Sequence, residues 1–266
     1  MNRVLLIGGG FRDRANGNHE MTQTVEVVQL GSSNQQPTCA LPDFPTIMRG
    51  GVGFTTTQGP VVCGGDVDND DFTKECYILK AKQWSKWNDL TIERANANAI
   101  KINDQQTLIL GGRRNDPSEG WKTLQSSDLM SANGAEESGV LPWTYMSGCS
   151  LKVNSTTYLI TGGWQGHGQR SYTQYVINGR TWYLNLETMS MTQGPRMAIV
   201  RSDSGTDYGR SGHACTSFQL GNKHFAVVTG GSTGRGTDTT EFLDLESSNP
   251  VWFEGMNFRN GFFSSS

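Results

Sequence analysis

The run PVVCGG, residues 60–65, is a short β-prone stretch that stops on a glycine pair, and it has four echoes along the chain. RVLLIGG (3–9), TLILGG (107–112), TYLITGG (157–163) and FAVVTGG (225–231) end the same way. Their first glycines, Gly8, Gly64, Gly111, Gly162 and Gly230, stand 56, 47, 51 and 68 residues apart, so the chain repeats at roughly 50 residues. A polar loop follows each pair, and then comes a second strand-like run: TVEVVQL (24–30), KECYILK (74–80), TWYLNLE (181–187) and TTEFLDLE (239–246). A third short run follows, as in CALPDFP (39–45), QWSKWNDL (83–90) and VWFEGMNF (251–258). Each new unit then opens on a basic residue and small ones: RGGV at Arg49, RANA at Arg94, RSGH at Arg210 and RNGF at Arg259, with MSGC at Met146 in the remaining place.

Composition agrees with a folded, β-rich chain. Of 266 residues, 35% are hydrophobic and 18% charged, and the 33 glycines show no three-residue period. A net charge of −3, with no block of Lys or Arg, argues against nucleic acid or an anionic membrane as partner. No apolar stretch has transmembrane length, and MNRVLLIGGG is too short for a signal-peptide core.

Four short strands per unit, repeated, is the make-up of a propeller blade. The glycine pairs, the Arg-small-Gly openings, and Trp84 and Trp252 in the third runs resemble a kelch-repeat β-propeller over essentially the whole chain. The resemblance implies an all-β fold of about five four-stranded blades in a single domain, residues 1–266. With strands named a to d from the axis outward, the chain starts on a strand b and ends inside a strand a. Two arrangements stay open: five blades closed by the C-terminal strand, or an incomplete six-bladed propeller. The third unit, WKTLQSSDLMSANGAEESGVLPW (121–143), departs most, with a poor third strand and a polar insert. For Gly64, Gly65, Gly111, Gly112, Gly162, Gly163, Gly230 and Gly231 the expected role is structural, at tight strand exits. The same holds for Arg49, Arg94, Arg210 and Arg259, as braces on backbone carbonyls, and for Trp84 and Trp252.

Strands b and c are antiparallel neighbours, so the acidic loop between them returns Cys76 towards Cys63. A Cys63–Cys76 disulfide is therefore expected. Cys149 and Cys215 fall two places apart in the repeat and are expected as buried thiols, while Cys39 has no evident mate. This cysteine usage resembles secreted kelch proteins more than intracellular adaptors, which leans the reading towards an extracellular location with a cytoplasmic one as alternative. Asn154 begins an NST glycosylation acceptor only if the chain is secreted.

Catalytic and metal motifs are weak. Asp66, Asp68 and Asp70 alternate as calcium ligands can, but the loop lacks the glycine and glutamate of an EF-hand, so a solvated acidic loop is expected. His19, His167, His213 and His224 have no zinc spacing, and His213 is read as a packing residue. TGGSTGRG (229–236) lacks the Lys-Ser/Thr ending of a P-loop. No Gly-x-Ser-x-Gly elbow occurs, and no adjacent Tyr-His pair stands beside Tyr145 and Cys149 for a galactose-oxidase-like copper site. No cofactor or metal is expected. What remains is a surface. The d–a and b–c connections emerge on one face, and Arg113, Arg114, Trp164, Gln165, His167 and Arg235 on the b–c loops are the expected contacts to a protein or glycan ligand. The function so read is a non-catalytic binding scaffold, with a propeller oxidase or glycosidase as the alternative, or a partial kelch fragment without independent function.

Overall fold

The computed structural model describes residues 3–12, 19–29, 41–68, 71–118, 120–166, 175–177, 179–198, 209–232 and 237–255. All regular elements among them are strands, so no helix is present there to cross a membrane. An N-terminal antiparallel pair, β1 (Arg3–Arg12) and β2 (His19–Gln29), comes first. Blade I follows with β3 (Val52–Thr56), β4 (Gly59–Cys63), a small hairpin of β5 (Asp66–Asp68) and β6 (Asp71–Phe72), then β7 (Cys76–Lys80) and β8 (Gln83–Lys86). Blade II has β9 (Asn98–Lys101), β10 (Thr107–Leu110), the hairpin β11 (Arg113–Asp116) and β12 (Gly120–Thr123), β13 (Ser126–Ser131) and β14 (Gly134–Val140).

Blade III is entered through β15 (Thr144–Met146) and contains β16 (Cys149–Lys152), β17 (Thr157–Thr161), β18 (Trp164–Gly166), β19 (Tyr175–Ile177), β20 (Thr181–Asn185) and β21 (Ser190–Gln193). Blade IV is β22 (Ala214–Leu220), β23 (Lys223–Thr229), β24 (Thr240–Asp244) and β25 (Trp252–Glu254). The molecule is a β-propeller with four complete blades, each ordered a-b-c-d: β3-β4-β7-β8, β9-β10-β13-β14, β16-β17-β20-β21 and β22-β23-β24-β25. The fifth unit is represented by β1 and β2. The segment from Arg259 onward, which would close the ring in one of the two expected arrangements, lies outside the described residues.

Blades are held face to face by apolar side chains at alternate strand positions, which is what a two-residue period provides. Val61, Cys63, Cys76 and Ile78 of blade I meet Ile109 and Met130 of blade II, with Leu90 from the connection wedged between. Leu108 and Leu110 of blade II meet Tyr158, Ile160 and Leu184 of blade III around Trp143 and Tyr145. Leu151 and Leu159 of blade III meet Ala226, Val228 and Leu243 of blade IV around Met197.

The glycine pairs make the joints. The first glycine bonds within its blade, as Gly64 N–H to Glu75 O at 3.0 Å and Gly111 N–H to Ser126 O at 3.0 Å. The second reaches the next unit: Gly9 to Met48 O, Gly65 to Arg94 O, Gly112 to Tyr145 O and Gly163 to Arg210 O, all between 2.7 and 2.9 Å. At Gly111 the φ of +61° and the carbonyl of Tyr145, 2.1 Å from where a Cβ would stand, leave no room for another residue.

These joints set the true register of the repeat. Met48, Arg94, Tyr145 and Arg210 are counterparts, so Arg49 and Met146 each stand one place later than the spacing of small residues suggests. Two places after that carbonyl, Gly50, Asn96, Ser147 and Gly212 all adopt left-handed φ of 53–64°. They form a backbone chain, Asn96 N–H to Gly50 O, Ser147 N–H to Asn96 O and Gly212 N–H to Ser147 O.

The third unit is regular after all. Its strand c, β13, hides Ser127 and Asp128 because each has a partner: Ser127 Oγ–H donates to Gly139 O at 2.7 Å, and Asp128 accepts from Arg94. A buried ion pair had disguised a core strand as polar sequence. Trp84 and Trp252 lie on strand d and donate their indole N–H groups to the carbonyls of Pro42 and Pro195, both at 3.1 Å.

Two disulfides are present. Cys63 and Cys76 face each other across β4 and β7 with Cα atoms 4.0 Å apart. Cys149 and Cys215, expected as separate thiols, are bonded, with Cα atoms 6.0 Å apart. In the true register they differ by one place rather than two, on the adjoining inner strands β16 and β22. The first bond closes 13 residues within a blade, and the second closes 66 and links two blades. Chain entropy makes the second worth about 4 kcal/mol and the first about 3 kcal/mol. Paired Cys→Ala variants are expected to lower the urea midpoint in that order. A larger loss from the Cys63/Cys76 pair would contradict it.

Candidate ligand-binding face

The b–c loops and the blade openings share one face because they are bridged to each other. Arg49 pairs with Asp66, Ala95 with Arg113 and Ser211 with Ser232 as isolated bridges, and Met146 pairs with Trp164 between β15 and β18. The connections from strand d therefore pass beneath the hairpins that rise from strands b.

The densest chemistry lies where the loops of blades I and II meet. Asp66 is 1% exposed, and its Oδ2 accepts from Arg49 Nε at 2.8 Å and Nη2 at 2.7 Å. Arg113 Nη2 stands 3.6 Å from the same oxygen. The Arg113 guanidinium also stacks on the Trp121 ring at 3.9 Å and approaches Phe72 at 5.5 Å. Arg114 points the other way on β11, with Glu93 and Asp116 each 3.5 Å away. Lys122 reaches Asp116 at 3.0 Å, and hydrogen bonds from Ser118, then from Lys122, hold the Asp116 carboxyl well below the usual range. The rim of this cluster is formed by charged groups: Arg49, whose side chain is 41% exposed, Arg114 and Lys122.

Several expectations change here. Asp66 is not part of a solvated loop, since two arginines occupy its carboxylate. Among the described residues no His, Cys, Asp and Glu group has metal-site geometry. Arg49 does not fill the buried brace position, because Met48 does. Trp164 is half-buried and Gln165 buried, both on β18 one blade further on. His167, Arg235, Arg259 and Asp70 lie outside the described residues. Trp121, Phe72, Glu93 and Lys122 went unnoticed in the sequence. Trp121 and Lys122 lie on β12 opposite Asn115 and Arg114, Phe72 lies on β6, and Glu93 lies on the connection from β8 to β9, so only the hairpin pairing and the blade-to-blade bridge bring them together.

Arg94 and Arg210 are interior groups. Arg94 donates to Gly111 O at 2.7 Å, Ser126 O at 3.2 Å and Asp128 Oδ1 at 2.8 Å. Arg210 repeats this with Gly230 O at 2.9 Å, Thr239 O at 3.1 Å and Glu241 Oε1 at 2.6 Å. Burial lowers the Arg94 pKa, and the Asp128 charge opposes the shift. Tyr145 is buried, with Asn98 Nδ2 3.3 Å from its hydroxyl, and burial pushes the phenol up. Cys149 spends its sulfur on the disulfide.

Two cavities lie away from this face. One of about 630 Å³ runs between β1 and blade I, and another of about 250 Å³ lies between blades II and III beside Leu108 and Met191.

The propeller has known structural company. No family model matches the sequence, and no curated protein matches it. A solved structure titled "Structure of YjhT" does match: 16% identity, a TM-score of 0.63, and coverage of 83% of this chain and 68% of that one. At that identity the likeness establishes the fold alone.

His213 is buried between blades III and IV, 4% exposed. Its Nε2 is 2.7 Å from Thr161 Oγ1, and burial, with the Arg210 charge adding to it, pushes the imidazole down to about 3. An unfolded chain takes up that proton near pH 6.5, and the native chain does not. Stability contributed by neutral His213 is therefore lost as pH falls from 6.5 towards 3. Between pH 7 and 5, a His213→Gln variant is expected to lose about 2 kcal/mol less than the parent in urea titrations. Parallel losses in both proteins would show that His213 titrates normally.

Proposed function

We propose that this is a kelch-type propeller that works as a non-catalytic binding scaffold, taking a protein or glycan ligand on the face of the b–c loops. The observation that carries the reading is the Arg49–Asp66–Arg113 cluster stacked on Trp121. It is assembled from the loops of two blades, and it holds guanidinium groups in fixed directions at a surface. Pre-ordered Arg and Trp side chains lose little entropy on binding, and a guanidinium fork suits carboxylate and amide oxygens. Arg114 and Trp164 extend the same face across blades II and III. The two disulfides support work in an oxidising compartment, where a ligand would be an extracellular protein or glycan.

The test is binding of the disulfide-intact chain to a glycan array and to a panel of secreted proteins. Any ligand recovered is then titrated against an Arg114→Ala/Trp164→Ala variant and against Asn154→Ala, which lies on the turn between β16 and β17. At least tenfold weaker binding is expected in the first and unchanged binding in the second, with both melting like the parent. Turnover of a bound glycan, or binding indifferent to the loop-face variant, would overturn the proposal.

A further inference from the structure

The a–b turns of blades II and III are one backbone turn written in two sequences. In blade III, Val153 N–H and Asn154 N–H both bond Thr157 O, at 2.9 and 3.3 Å. In blade II, Ile102 N–H and Asn103 N–H both bond Gln106 O, at 3.0 and 3.2 Å. An asparagine then fixes each turn. Asn154 Oδ1 accepts from Thr156 N–H at 3.0 Å, and Asn103 Oδ1 accepts from Gln105 N–H at 2.8 Å. Both asparagines are exposed.

Their amide nitrogens differ. Asn103 Nδ2–H donates to Gln106 Oε1 at 3.0 Å, so that amide is engaged at both ends. At the place of Gln106 blade III has Thr157, and among the described residues Asn154 Nδ2 has no partner, while Thr156 Oγ1 stands 3.4 Å from Asn154 Oδ1. Asn154-Ser155-Thr156 is also the single Asn-x-Ser/Thr triplet in the 266 residues. Blade II makes the same turn with Gln105 in the third place, so the fold has no need of the threonine hydroxyl. The triplet is not a by-product of the turn.

Two further features bear on its use. The Cys63–Cys76 and Cys149–Cys215 bonds suit an oxidising compartment, which is where N-linked oligosaccharides are added. Strand β17 runs from this turn to the b–c hairpin, with Tyr158 opposite Lys152 and Thr161 opposite Cys149, so Asn154 stands at the far end of the blade from Trp164. Neighbouring blades grip the turn without covering it: Tyr158 O–H donates to Lys101 O and Ser217 Oγ–H to Lys152 O, both at 3.0 Å.

We propose that Asn154 carries an N-linked oligosaccharide, that its turn presents the free amide for it, and that the glycan occupies the a–b end of the propeller, leaving the loop face bare. The bond from Asn154 Nδ2 to the anomeric carbon forms as the glycosyl–phosphate bond of a lipid-diphosphate-linked oligosaccharide breaks. The amide nitrogen gives up one proton, and the lipid diphosphate leaves. The substituted amide keeps its carbonyl, so the bond from Thr156 N–H that fixes the turn survives. The proposal shares with the ligand reading the oxidising compartment alone.

The full chain from its native source is mapped without reduction after peptide-N-glycosidase treatment in heavy-oxygen water. Position 154 is expected as labelled aspartate, with both disulfides linked. An unlabelled Asn154 beside linked cysteines overturns the glycan and leaves the ligand reading standing, and an unlabelled Asn154 beside free thiols removes the compartment from both. In a secretory host, Thr156→Ser is expected to keep the glycan, and Thr156→Ala to lose it. Asp104→Ser, Gln105→Thr and Gln106→Thr together copy the turn into blade II and are expected to add a second glycan at Asn103. A chain that stays singly glycosylated would overturn the part given to the turn.

Discussion

Everything in this propeller is hung from a hydrogen bond that a side chain would forbid. In four of the five pairs the second glycine donates its N–H to the carbonyl of the residue that opens the following unit, at 2.7–2.9 Å. The first glycine supplies the positive φ that turns the chain out of strand b. A Cβ at Gly64 would stand 2.3 Å from Arg94 O, and one at Gly162 would stand 2.2 Å from Arg210 O. That closeness fixes how far each blade sits from the next. The distance in turn decides which side chains fill the gap. Leu90, Tyr145 and Met197 on the connections can be wedges only because the joint holds both faces at wedge width.

The opening residue answers the same constraint with two chemistries. Arg94 and Arg210, each 1% exposed, bring their counter-charges with them, Asp128 and Glu241. These acids also tie down the incoming connection, through Thr91 N–H and Oγ1–H in one case and Ala198 N–H in the other. Removing one partner of a buried pair costs about 3–5 kcal/mol, yet the pair itself can add little over an apolar plug. The molecule shows the apolar solution beside the ionic one, since Met48 with Tyr77 and Tyr145 with Trp182 occupy the same two places. The ionic version therefore owes its value to direction: two guanidinium nitrogens aimed at two carbonyls and a carboxylate allow one register of the connection, where a methionine allows many.

Much of this was legible in the sequence, and the failures have a common cause. The five glycine pairs mark the strand exits because all ten glycines adopt positive φ, which other residues rarely take, so the fold and the Cys63–Cys76 pairing followed from pattern. The openings misled by one residue. Arg49 and Met146 sit beside small residues just as Arg94 and Arg210 nearly do, and composition cannot see which carbonyl a distant glycine reaches. That slip of one place hid the Cys149–Cys215 bond. Strand β13 was masked by Asp128, whose burial makes sense only with Arg94, thirty-four residues away in sequence. At the loop face, the Arg113–Trp121 stack depends on a hairpin register, and Asp66 looked like surface acid until Arg49 and Arg113 converged on it.

The loop face inherits its rigidity from the joints beneath it. β5–β6, β11–β12 and β18–β19 are short hairpins that would be marginal alone. Here each is stitched at its base to a connection, by Arg49–Asp66, Ala95–Arg113 and Met146–Trp164, and those connections are the strands' own anchors between blades. Side chains at the hairpin bases are thus ordered by the same bonds that space the blades, while residues towards the tips are free to differ in length and charge from one unit to the next. Under the proposed reading, a ligand at this face would meet Arg113 and Arg114 pointing to opposite sides of β11, each near a carboxylate. Little ordering would then be left to be done on binding, so affinity would depend on how well a partner's own acceptors match the two guanidinium groups.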